Sequence, residues 1–271
     1  MSKAEQRISK IRDTQIGATA KKVLLVEGSD DVSAFRQLLN RRVPDWESRW
    51  ALAEAGNKRQ ALDMAPLVLD WLVLVDRDEW SANEVKEFQQ QHANLFVLPR
   101  FCLESYLVDP AELWEALPPK QQEKIPTGAS GIETEVLASL ADWRRHAALW
   151  HVINPLWSGL RALGFKEGLL QTQKIPNDAE LERTLKSWSE FVDHKRILDE
   201  VHVAIGNMNA QTATDFLHLS LYAKDFYPQV VHPALDRLLG RKSEAERRIA
   251  LFRTLPIPAD IDPLWKRMGL V

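Results

Sequence analysis

The sequence predicts an α/β protein: a mostly parallel four-stranded sheet with flanking helices over residues 21–110, then a mainly helical region over 111–271. Three observations predict it. Apolar runs of strand length alternate with stretches of helical periodicity through the first half, and that order favours parallel strands with helices on both faces. One run, "WLVLV" (71–75), is a strand on composition alone. After residue 110 no strand pattern recurs. The chain has 271 residues, 45% of them apolar, enough for a sizeable core.

The elements follow in order. Residues 1–20 form a charged N-terminal segment without the apolar stretch of a signal peptide. Val23–Val26 reads as a buried strand. Val32, Phe35, Leu38 and Leu39 then fall on one helical face. "RWALAEA" (49–55) is a second strand. "NKRQALDMAPLVLD" opens on an Asn N-cap and is helical up to Pro66. After the third strand, Ser81 with Glu84 three residues on makes a capping box. "NLFVLP" (94–99) is the fourth strand. Asp109 caps a helix whose first residue is Pro110. Residues 118–131 read as an exposed loop, and 132–153, 178–201 and 230–240 read as three helices.

Composition narrows the function. The single cysteine, Cys102, allows no intrachain disulfide and no cysteine-based zinc cluster, which fits a reducing cytoplasm. "PLVLDWLVLVDRD" is too short and too acidic to span a bilayer, so no membrane is expected. The net charge of −3 names no partner. Seven of the ten tryptophans lie in the first 150 residues, where packing accounts for them better than base stacking.

The acids are placed non-randomly. Glu27 follows the first strand, Asp76 and Asp78 follow the third, and Glu104 lies shortly beyond the fourth. In an open parallel sheet, functional residues gather at the carboxyl ends of the strands. Asp31, four residues after Glu27, starts a helix and can turn back to the same edge. Asp30 reads more simply as a helix cap. Each acid has a bland explanation as a cap, a turn or a helix face. Their joint placement at three strand ends does not. Two carboxylates about 4 Å apart repel by about 4 kcal/mol at an effective dielectric near 20, so protons, basic side chains or a divalent cation must offset the charge. Oxygen donors without paired His or Cys favour Mg²⁺, with Mn²⁺ as the alternative, over Zn²⁺.

"VEGSDD" followed by "LVDRD" resembles the Toprim fold, a Rossmann-like parallel sheet with a glutamate after its first strand and Asp-x-Asp after its third. The resemblance covers residues 21–110. Glu27-x-x-x-Asp31 is similar to the pattern of the overcoming-lysogenization-defect (OLD) nucleases. "LPRFCLESYLVDPAELWEAL" resembles the DUF4435 stretch, with Ser105 and Leu103 where Asn and Ile are common. That family also has a late Gly-Lys, for which "YAKDFYPQV" offers Lys224 behind Ala223, and "LGRKSE" offers Lys242. The resemblance implies a metal-dependent endonuclease. Glu27, Asp31, Asp76, Asp78 and Glu104 would hold Mg²⁺, Lys224 would neutralise the scissile phosphate, and Gly28 would let the backbone come close. Stand-alone DUF4435 Toprim proteins of this size are similar to the effector of the PARIS anti-phage system. There an ABC-type ATPase holds the nuclease until a phage protein releases it, and the nuclease attacks host tRNA.

The expected partners are therefore nucleic acid (RNA, foremost tRNA, with DNA as the alternative), an ABC-type ATPase and a second copy of the chain. The competing readings are a DNA nuclease of OLD type and a non-catalytic Toprim module bound to an ATPase. Arg77 is expected to be structural or to touch substrate. Arg100 either meets phosphate or pairs with Glu104. The basic runs at 241–253 and Arg144–Arg145 could hold a nucleic-acid backbone, although a solvated helix face is the commoner explanation.

Overall fold

The computed structural model describes residues 1–17, 19–165 and 177–270. Four parallel strands, β1 (Lys22–Val26), β2 (Trp50–Glu54), β3 (Leu72–Val75) and β4 (Leu95–Val97), form one sheet in the order β2-β1-β3-β4. This is a Rossmann-like α/β arrangement followed by a mainly helical region. Between the strands run α2 (Ser29–Arg42), α3 (Lys58–Met64) and α4 (Ala82–Gln91), and α1 (Lys3–Ile11) precedes the sheet. Val23–Val26 of β1 and all of β3 are buried in succession, because helices cover both faces. Val23, Leu25, Val73, Val75, Leu95 and Val97 share one face and pack with Ile8, Ile11, Ala61 and Met64 of α1 and α3. The chain leaves β1 toward β2 on one side, while β3 lies on the other. The sheet's topological switch point is therefore the gap between the carboxyl ends of β1 and β3.

Downstream lie α5 (Pro110–Ala116), α6 (Pro119–Gln122), α7 (Ala129–Leu137), α8 (Leu140–Ala162), α9 (Asp178–Phe191), α10 (His194–Ala210), α11 (Ala213–Leu219), α12 (Ala223–Phe226), α13 (His232–Leu239), α14 (Glu244–Thr254) and α15 (Asp262–Met268). Three expectations are corrected here. The loop at 118–131 contains α6 and the start of α7, because Pro118 and Pro119 open a helical turn rather than prevent one. The helix expected at 132–153 breaks at Ala138–Ser139. The one expected at 178–201 breaks at Val192, where Asp193 accepts the Arg196 N–H and caps a new helix.

The chain forms two compact units, Met1–Ala138 with Leu217–Val271, and Ser139–Phe216. In the first, the last stretch of chain packs against α2 and β2. Trp265 meets Phe35 of α2 edge-on with ring centroids 6.3 Å apart, and Trp50 Nε1 donates to the Met268 carbonyl at 3.1 Å. In the second, α8 packs against α10, and a side chain at Gly159 would collide with the Phe191 ring. Arg144 donates to the Met208 and Gln211 carbonyls and covers the Phe216 ring, so it ties helices together.

Candidate acidic site at the switch point

Glu27 and Asp76 end neighbouring strands, β1 and β3. Glu27 Oε1 accepts the Asp76 N–H at 2.8 Å, and the Glu27 carbonyl accepts the Gly56 N–H, fixing the turn after β1 to the turn after β2. Gly56 has φ +111°, a conformation that suits glycine. Asp31, in the first turn of α2, accepts the Gly28 N–H at 2.8 Å and so turns back to the strand ends. Gly28 itself is extended, and an added Cβ would meet only Asp31 Oδ2 at 3.9 Å. Among the protein's own atoms, no close approach requires glycine there.

Asp78 has φ +50°, a strained setting for a side chain that aspartate tolerates better than most residues. Its N–H donates to the Phe101 carbonyl at 2.7 Å, and the Phe101 N–H donates to the His218 carbonyl at 2.8 Å. Phe101 thereby links the β3 turn to the chain returning at 217–226. Tyr222 packs edge-on against Phe101, and Ala223 and Phe226 are fully buried. These contacts fix Lys224, whose Nζ lies 2.7 Å from Asp76 Oδ2 and 3.6 Å from Asp78 Oδ1. Lys242 is exposed, and its N–H donates to Asp236; Lys224 is the lysine at the acids. Glu104 stands in a 3₁₀ turn (Leu103–Leu107), whose first N–H donates to Asp76 Oδ1 at 3.1 Å.

Burial, and then the charge of Asp76, push the Glu27 carboxyl up to about 8 and Asp31 up to about 7. Asp76 rises to about 6, because burial and the charge of Asp78 outweigh the attraction of Lys224. Burial opposes the Lys224 charge, but Asp76 and Asp78 outweigh it and hold the ammonium above its usual range.

Two further cations sit on these acids. Lys58, at the first position of α3, lies 2.9 Å from Asp78 Oδ2, donates to the Arg77 carbonyl at 3.2 Å and sits 3.7 Å over the Trp80 ring. Arg248 of α14 lies 3.3 Å from Glu104 Oε1 and 2.7 Å from Asp30 Oδ2. Sequence reading named neither individually. Lys58 follows a strand end just as the acids do, and that position was a usable signal. Arg248 gave none beyond its place in a basic run.

Other expectations resolve differently. Arg100 neither pairs with Glu104 nor stands free for phosphate. It is buried, forks onto Glu112 at 2.6 and 2.5 Å and meets Asp260 at 2.9 Å. Arg77 donates to the Trp80 carbonyl at 2.9 Å and holds its own turn. In the run 241–253, Arg247 is buried on Asp236 and the Gly240 carbonyl, leaving Arg241, Lys242 and Arg253 exposed.

Among the described residues, no group of three or more His, Cys, Asp or Glu side chains is arranged to hold a metal ion. The acids are engaged instead with peptide N–H groups, Lys224, Lys58 and Arg248. The donor chemistry still fits a hard divalent cation. All five acids supply oxygen, three of them are pushed toward protonation by burial and by their acidic neighbours, and Glu104 Oε2 is buried with no hydrogen-bond partner.

No protein-family model matches the chain, and no curated protein matches it significantly. Among the described residues, no helix is long and apolar enough to cross a membrane.

Proposed function

We propose that the chain is a Toprim nuclease of DUF4435 type that hydrolyses phosphodiester bonds with the help of Mg²⁺, or of Mn²⁺ in its place. One observation carries this reading. Glu27, Asp31, Asp76, Asp78 and Glu104 share a buried field at the switch point of a parallel sheet, where open α/β folds place their chemistry. These five would hold the cation. When bound, it would lower the pKa of a water and stabilise the leaving oxygen. Lys224, already fixed against Asp76, adds a cation for the phosphate oxygens, and Lys58 adds another beside Asp78. Asp78 keeps its position because its own N–H is committed to Phe101.

By the resemblance, the substrate is RNA, tRNA first, with DNA as the alternative, and an ABC-type ATPase restrains the enzyme. A second reading, a non-catalytic module, draws on the three internal cations, which neutralise much of the acidic charge. The deciding experiment incubates purified protein with tRNA and with duplex DNA in Mg²⁺. Cleavage of tRNA is expected, lost in excess EDTA and in Glu27→Ala or Asp76→Ala with the circular dichroism unchanged. Cleavage that survives EDTA overturns the proposal. Binding without cleavage, in the wild type, selects the module.

A further inference from the structure

The three internal cations are held differently. Lys58 is locked by the Arg77 carbonyl and the Trp80 ring as well as by Asp78. Lys224 rests on Asp76 and Asp78, both within the acidic field. Arg248 spans the field's border. Its Nη1 lies 3.3 Å from Glu104 Oε1, its Nη2 2.7 Å from Asp30 Oδ2 and its Nε 3.8 Å from Glu244 Oε1. The Asp30 and Glu244 side chains are 66% and 39% exposed, against 13% for Glu104, so only Glu104 is an inner partner.

Glu104 is incompletely satisfied by this contact. Its Oε2 is buried and accepts nothing. A buried oxygen of that kind costs free energy until a donor or a cation reaches it. The backbone beneath Arg248 is meanwhile anchored. Arg247 bonds Asp236 and the Gly240 carbonyl, Leu251 and Phe252 are buried, and Arg41 of α2 donates to the carbonyls of Phe252 and Leu255. Giving up Glu104 requires only that one guanidinium edge let go, since the other partners of Arg248 retain it.

We propose that Arg248 is an internal competitor for Glu104. It holds this carboxylate while the site lacks a divalent cation, and it thereby sets the affinity with which the site takes one up. Once the cation has Glu104, Arg248 stays docked on Asp30 and Glu244 with an N–H edge freed at the rim. The proposal rests on reading the site as a divalent-cation site. A ligand whose carboxylate is already engaged binds with an affinity reduced by the fraction of time that carboxylate is free.

Calorimetric titration with Mn²⁺ tests this on the full chain. Arg248→Gln is expected to tighten Mn²⁺ binding by roughly ten-fold, the reduced fraction having been restored. The same substitution in a Glu104→Gln background is expected to change nothing, because the two residues act through one contact. Arg248→Lys, which keeps the charge and loses the fork, is expected to lie between and serves if Arg248→Gln does not fold. An unchanged or weaker affinity in Arg248→Gln, or an equal gain in the Glu104→Gln background, overturns the proposal. If the wild type binds Mn²⁺ and Asp76→Asn abolishes that binding, while Arg248→Gln has no effect, the competitor fails and the cation site stands. If no form binds Mn²⁺, the cation reading fails and the competitor with it.

Discussion

Asp76 accepts the Leu103 N–H on one oxygen and the Lys224 ammonium on the other, while its own N–H serves Glu27. Such sealing has a thermodynamic sign. Glu27, Asp31 and Asp76 bind protons more tightly folded than unfolded, with pKa values raised to about 8, 7 and 6. The stability these protons contribute is fully present below about pH 4 and is lost as pH rises through the folded-state values. Thermal melts in EDTA should therefore show a falling melting temperature between about pH 4.5 and 8. Glu27→Gln and Asp31→Asn should flatten that fall. A melting temperature that climbs over this range would contradict the burial of the acids. At this scale the sequence told most about Glu27, Asp76 and Asp78, because strand ends are local features. It told least about Arg248, whose partner Glu104 is 144 positions away. Of the two carboxylates that hold Arg100, Glu112 is 12 positions away and Asp260 is 160.

Elements were legible where periodicity ran uninterrupted. Each of the four strands lies within or beside its apolar run, and Ser81, Asn57 and Asp109 all cap as their spacing requires. The breaks at Ala138–Ser139 and Val192 were not legible, because apolar periodicity continues across them and only backbone geometry separates the helices. Nor did any local pattern show that α15 is buried against α2. Trp265 is fully buried on Phe35, so Trp265→Ala should lower stability by about 3–5 kcal/mol through the cavity it leaves. Urea unfolding measures this directly. A loss below about 1 kcal/mol, the scale of surface substitutions, would mean that α15 is not part of the core.

At the scale of the whole molecule, the first unit is discontinuous in sequence: its two segments are separated by Ser139–Phe216. The returning segment supplies Trp265, the carbonyls that accept from Trp50 and Arg41, and Arg267, which donates to the Leu95 carbonyl of β4 at 2.6 Å. Residues 1–138 expressed alone should therefore show no cooperative melt by circular dichroism, although they contain every strand found among the described residues. A melt as sharp as that of the full chain would refute this. The same discontinuity bears on synthesis. The five acids have all been synthesised by residue 104, but Lys224 and Arg248 follow only near the end. At ordinary elongation rates that interval is on the order of ten seconds. A nascent chain thus carries the acids before their lysine and arginine exist. No product truncated ahead of residue 224 can hold the assembled set, because the lysine that meets Asp76 and Asp78 is missing from it.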